Sequence, residues 1–230
     1  MKDERRAFLK SVLTAGAGMA LAGGALLAPA WAREEPEEGV SPPEDLMREH
    51  GVLNRILLIY DDTLCRLDGC GQFEPRPVNA AAGIIRRFIE QYHEKLEEDH
   101  LFPRFRQANQ LVDLVNTLET QHRAGRRLTD EILALTTDAT IKDEKRRGQL
   151  TQALGQFIAM YRPHEAREDT VLFPALRAIV PAREFEAMGE AFEKKEHELF
   201  GREGFEGVVA QVAALEKQLG LYDLAQFTPR

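Results

Sequence analysis

The strongest constraint on how this chain folds is an eleven-residue segment that it uses twice. His93-Glu94-Lys95-Leu96-Glu97-Glu98-Asp99-His100-Leu101-Phe102-Pro103 returns as His164-Glu165-Ala166-Arg167-Glu168-Asp169-Thr170-Val171-Leu172-Phe173-Pro174, and both copies read H-E-x-x-E-[ED]-x-x-L-F-P. Each copy is preceded, at a nearly equal distance, by a single histidine: His50 in the first half and His122 in the second. Around these landmarks apolar residues recur at three and four, with no sustained alternation of period two, so the body reads as helix. Two similar helical hairpins pack most simply as an antiparallel up-down four-helix bundle, and an all-α fold is expected.

The expected helices are 44–65, 78–101, 104–137 and 143–173. Phe102-Pro103 marks the end of the second or a kink in it, and Pro174 allows the fourth a kinked continuation to Val180. A Gly/Pro-rich loop at 68–77 joins the first two. Pro181 opens a fifth helix at 182–200, and a shorter one at 205–219 precedes the tail. The expected organisation is therefore a bundle at 44–180 and a C-terminal helical extension at 181–230.

Histidine and glutamate four residues apart share one helical face, separated by about 6 Å of rise. His93 with Glu97, and His164 with Glu168, are such pairs. Turned inward, each hairpin supplies one pair and one lone imidazole, for a total of four imidazoles and two carboxylates. That donor set suits iron or manganese, and a carboxylate can bridge two ions. Burying two uncompensated carboxylates would cost several kcal/mol each, on the order of any unpaired buried charge, and a dinuclear cation cluster removes that cost. A lone histidine is ordinarily solvated or a satisfied core residue, and one H-x-x-x-E is ordinarily an exposed pair. A duplicated pair with matching upstream histidines is not explained by such accidents.

The order H…HxxxE…H…HxxxE, with Leu-Phe-Pro after each pair, resembles the hemerythrin HHE cation-binding domain over approximately 44–180. The resemblance implies a four-helix bundle holding a non-haem di-iron centre, two iron ions ligated by His50, His93, Glu97, His122, His164 and Glu168, with Glu97 and Glu168 bridging. It further implies that the chain binds dioxygen or a related small diatomic ligand such as nitric oxide, for sensing, storage or protection. Two positions depart from the oxygen carriers of the family. Arg126 stands where they place a second histidine one turn after the third-helix ligand. Their bridging aspartate falls at the offset of Asp169, beside Glu168, so either carboxylate could bridge. One imidazole fewer favours reactivity or sensing over simple oxygen carriage, and a di-iron oxidase, peroxidase or nitrogen-oxide-reacting enzyme is the alternative. Metal storage or a structural bundle is a third reading.

Other residues invite weaker roles. His100 lies on nearly the same stripe as His93, placed either for an outer hydrogen bond or simply near a helix C-terminus. His197, four residues after Glu193 on the fifth helix, is a substitute ligand only if that helix caps the bundle; a solvated face is the plainer expectation. By helical phase Tyr161 approaches the metal more closely than Tyr92, though packing at the bundle wall suits both. Cys65 and Cys70 either close a small disulfide loop at the end of the first helix or remain plain thiols.

The N-terminus is set aside from fold reasoning. Arg5-Arg6-Ala7-Phe8-Leu9-Lys10, a Gly/Ala-rich stretch and Ala30-Trp31-Ala32 resemble a twin-arginine export signal spanning 1–32, followed by an acidic linker at 33–43. The expectation is a periplasmic or secreted product, delivered by the twin-arginine export machinery and free of stable membrane insertion after cleavage. Such a route suits a metalloprotein loaded before export. The formal charge of −8 argues against nucleic acid as a partner, because phosphate binding needs a basic surface.

Overall fold

The computed structural model describes residues 40–229; the stretch expected to be an export signal and most of the expected acidic linker lie outside the described residues. Among the described residues every regular element is helical, as expected. Helix α1 spans Pro42–Cys65, α2 covers residues 75–107, α3 is Val112–Leu135 and α4 is a short Asp138–Lys142. Helix α5 covers residues 144–179, α6 is Ala182–Phe200 and α7 is Gly204–Leu219. None of these is long and apolar enough to cross a membrane.

Local chemistry explains the ends. Ser41 N–H donates to Glu44 Oε2 at 2.9 Å, and Pro42 and Pro43 take the first helical positions of α1, where no amide proton is needed. Asp143 accepts from the amides of Lys145 and Arg146 to start α5. A disulfide joins Cys65 to Cys70 in the turn after α1, and Arg66 within it donates to the Leu219 carbonyl at the end of α7 at 2.9 Å.

The two Leu-Phe-Pro prolines do not stop their helices. A proline lacks an N–H and collides with the carbonyl four residues earlier. In both repeats the backbone widens into a π-helical stretch just before it, Glu97–Leu101 and Glu168–Leu172, then resumes α geometry at Phe102 and Phe173. Each stretch opens on the glutamate of the H-x-x-x-E pair. The expected third helix from Arg104 is therefore corrected: residues 102–107 continue α2, and α3 begins at Val112 after Leu111 takes a left-handed conformation.

Helices α1, α2, α3 and α5 form the bundle, with α1 and α3 each packed against both α2 and α5. Leu46, Ile56 and Tyr60 of α1, Ile85 and Ile89 of α2, Leu118 and Ile132 of α3, and Leu154 and Phe157 of α5 are buried between them. Helices α6 and α7 pack on each other and on the outer side of α1 and α2. Arg55 of α1 makes a two-pronged ion pair with Glu216 of α7, at 2.8 and 2.5 Å, and Phe200 lies edge-on to Phe88 and Tyr92.

Candidate metal centre

All six residues singled out in the repeats meet in the bundle interior, each at most 4% exposed. Ligand atoms of His50, His93, Glu97 and Glu168 converge on one point, and those of His122, His164 and Glu168 on a second. Glu168 serves both, with Oε2 3.4 Å from His50 Nε2 and Oε1 3.1 Å from His164 Nε2. Glu97 Oε2 lies 3.8 Å from His93 Nε2 and 3.4 Å from His122 Nε2. Two ligands about 2.1 Å from a shared ion stand roughly 3.0–3.4 Å apart, so most of these separations match a common coordination sphere.

The outer nitrogens of the four rings are also engaged. His50 Nδ1 pairs with Asp169 Oδ1 at 2.7 Å, His93 with Glu49 Oε2 at 2.8 Å, His122 with Glu98 Oε1 at 3.1 Å and His164 with Gln121 Oε1 at 2.9 Å. With Nδ1–H donating outward, each Nε2 faces the interior, where its lone pair serves a metal once any proton on it is displaced, the arrangement that orients metal-ligating histidines. Asp169 is thereby placed outside, and Glu168 inside. Glu49 and Gln121 were not singled out in the sequence, although each immediately precedes the lone histidine of its half and so occupies an equivalent place in the repeat.

Electrostatics among these groups is strained. Burial pushes the Glu97 carboxyl well up, helped by the nearby charge of Glu168. Burial acts the same way on Glu168, but the imidazoles of His164 and His50 outweigh it and hold that carboxyl well down. For His50, burial opposes protonation, yet Asp169 and Glu168 raise it to about 10; burial and the His50 charge lower His93. Both oxygens of Glu97 and of Glu168 are buried without a hydrogen bond of good geometry. Orphaned carboxylate oxygens facing imidazole nitrogens are what a bound cation would satisfy, and the residues present fit a dinuclear metal group.

Arg126 points away from the centre. Its Nη2 lies 2.8 Å from Glu94 Oε2 and 2.7 Å from Glu98 Oε1, and the Tyr161 hydroxyl donates to Glu94 Oε1 at 2.7 Å. The Tyr161 ring centroid is 5.4 Å from that of His164, so the tyrosine flanks the site from the wall. Gly125 is required there, since a Cβ would fall 1.9 Å from the Tyr161 hydroxyl.

His100 packs edge-on to Phe192 of α6 instead of joining the centre. His197 is exposed, and the inward residue of its helix is Glu196, buried with an oxygen close to those of Asp45 and Glu49.

The family model described as the hemerythrin HHE cation-binding domain matches residues 41–176 and, in a second register, 113–228. Uncharacterized proteins of Mycobacterium bovis and of two Mycobacterium tuberculosis strains are 54% identical over 195 residues, covering 85% of this chain and 76% of each relative. No solved structure matches the chain.

Proposed function

The chain belongs to the hemerythrin HHE cation-binding family, and from that premise we propose that it holds two iron ions and uses them to bind dioxygen or a related small diatomic molecule. One ion would be held by His50 and His93 and the other by His122 and His164, with Glu97 and Glu168 spanning both. The carrying observation is the pair of buried carboxylates whose oxygens lack hydrogen bonds and face four inward nitrogens. Nitrogen and carboxylate donors favour iron or manganese over softer ions. When bound, such ions supply reversible redox chemistry and open coordination positions. The protein's share is to orient the imidazoles through their outer partners and to exclude water. Every candidate ligand is nearly sealed from solvent, which favours a small diatomic molecule or peroxide over a larger substrate.

Arg126 supports a second reading, an enzyme acting on peroxide, oxygen or nitrogen oxides. It takes the place of a further imidazole and spends its charge on Glu94 and Glu98, leaving the centre with fewer donors. We also propose export by the twin-arginine route to the periplasm or beyond; the Cys65–Cys70 disulfide is supporting evidence, since such bonds persist in oxidising compartments. Loading the protein with ferrous iron without oxygen, then admitting oxygen, tests the functional reading. A stable optical band that reverses on deoxygenation supports binding, and turnover of peroxide supports the enzyme. Purified protein that takes up no iron overturns both.

A further inference from the structure

The two halves of the centre are related by an approximate two-fold that extends to the outer partners. Glu98 on His122 and Asp169 on His50 sit at the same place in the two repeats, five residues after His93 and after His164 respectively. Glu49 on His93 and Gln121 on His164 are likewise equivalent, one residue before the lone histidines. Four residues after those histidines stand Asn54 and Arg126, and each reaches the glutamate that follows a paired histidine: Asn54 to Glu165 at 3.0 Å and Arg126 to Glu94 at 2.8 Å.

The symmetry breaks in one direction. Where His93 has the carboxyl of Glu49 behind it, His164 has the amide of Gln121, which cannot ionise when a cation binds. Where Glu165 meets a neutral Asn54, Glu94 meets the Arg126 guanidinium, which also contacts Glu98 at 2.7 Å. Lys95 adds a second cation on Glu98 at 3.0 Å, and the equivalent position in the second repeat is Ala166. These departures set two cations beside Glu98, the partner of His122, and an amide in place of a carboxyl behind His164, while Asp99, where the second repeat has Thr170, offsets part of the Lys95 charge at 3.1 Å. A carboxylate on Nδ1–H raises the basicity of the ligating nitrogen, and removing such a partner typically lowers metal affinity about 10–100-fold.

We infer that the two metal positions are unequal: the one at His50 and His93 holds its ion tightly, and the one at His122 and His164 is the exchangeable position, with Gln121 as the residue that sets the difference. The inference rests on the di-iron reading above and deepens it. It is tested by titrating the full metal-free chain with ferrous iron under anaerobic conditions against a competing chelator, with bound iron counted directly. Two steps are expected, separated by about tenfold or more. Gln121→Glu should tighten the weaker step and leave the tighter one in place, and Glu49→Gln should weaken the tighter one. His164→Ala should abolish the weak step alone, and His50→Ala the tight one. Circular dichroism confirms that each variant is folded, and the two opposed glutamine–glutamate exchanges keep the test decisive if an alanine variant unfolds. Loss of the tight step in His164→Ala, or two equal steps that Gln121→Glu does not alter, overturns the asymmetry while leaving the dinuclear centre standing. No uptake of iron by the unaltered protein overturns the centre and the asymmetry together.

Discussion

His122 Nε2 lies 3.3 Å from His164 Nε2, with both rings buried and both Nδ1 atoms already committed to outward partners. Two inward lone pairs at that distance repel unless a proton or a cation lies between them, so metal should contribute to the stability of the fold as well as to its chemistry. Iron at about a thousandfold above its dissociation constant is expected to add about 4 kcal/mol per site. For a folded unit of this size that is a rise in melting temperature of about 10 °C. Calorimetric scans with and without chelator check it; coincident curves would argue against a buried cation site.

Metal uptake should release protons. The His50 imidazole, raised to about 10, and the Glu97 carboxyl, pushed up by burial, hold protons near neutral pH unless a cation displaces them. Isothermal titration with iron in buffers of differing ionisation enthalpy should report at least one proton released at pH 7. Affinity should increase as pH rises towards 10, because the proton competing on His50 becomes easier to remove. A heat independent of buffer would contradict the arrangement.

Glu168 and Asp169 are adjacent in sequence but should behave differently. Glu168→Ala removes a carboxylate shared by both positions and is expected to abolish dinuclear binding. Asp169→Asn keeps the centre and weakens it by about 10–100-fold, because only the partner of His50 Nδ1 changes. Iron-to-protein ratios of the purified variants separate the two.

Glu90 offers a pH test away from the ligands. Burial raises its carboxyl to about 7, against the smaller opposing effects of the neighbouring Thr129 hydroxyl and of the Arg86 guanidinium, 2.7 Å from Glu90 Oε2. The folded protein therefore binds a proton that the unfolded chain releases nearer 4.5, and stability on this account falls as pH rises from about 4.5 to 7, then levels off. Glu90→Gln should be nearly neutral at pH 5 and stabilising by roughly 1–3 kcal/mol at pH 8. Urea unfolding at the two pH values measures the difference, and equal effects at both would refute it.

Gly125→Ala should cost roughly 1–3 kcal/mol by overpacking, because its Cβ would overlap the Tyr161 hydroxyl and crowd the ring carbon at 2.7 Å. Combining it with Tyr161→Phe should recover part of that loss, since the hydroxyl is the closer atom. Thermal denaturation of the single and double variants checks it, and strictly additive losses would disprove the contact.

Much of this was legible in one dimension. Residues four apart on a helix share a face whatever surrounds them, so the His93–Glu97 and His164–Glu168 pairs could be read from spacing, and duplication pointed to His50 and His122 as their complement. The span of α6 was likewise readable because Pro181 and Gly201 bracket it. The passage of α2 through Pro103 was not, because whether a proline ends a helix or is absorbed by a π-helical stretch depends on packing beyond the segment.

Sequence by itself determined which side chains could chelate, since that depends on a helical period set by backbone geometry. Only the tertiary structure decided how each ring is held: that Glu168 turns inward while Asp169 supports His50, that Glu49 and Gln121 reach across to the histidine of another helix, and that Arg126 serves Glu94 and Glu98. Those choices depend on the rotation and register of one helix against its neighbour. They arise from close packing of the whole interior, to which no single segment of the chain holds the answer.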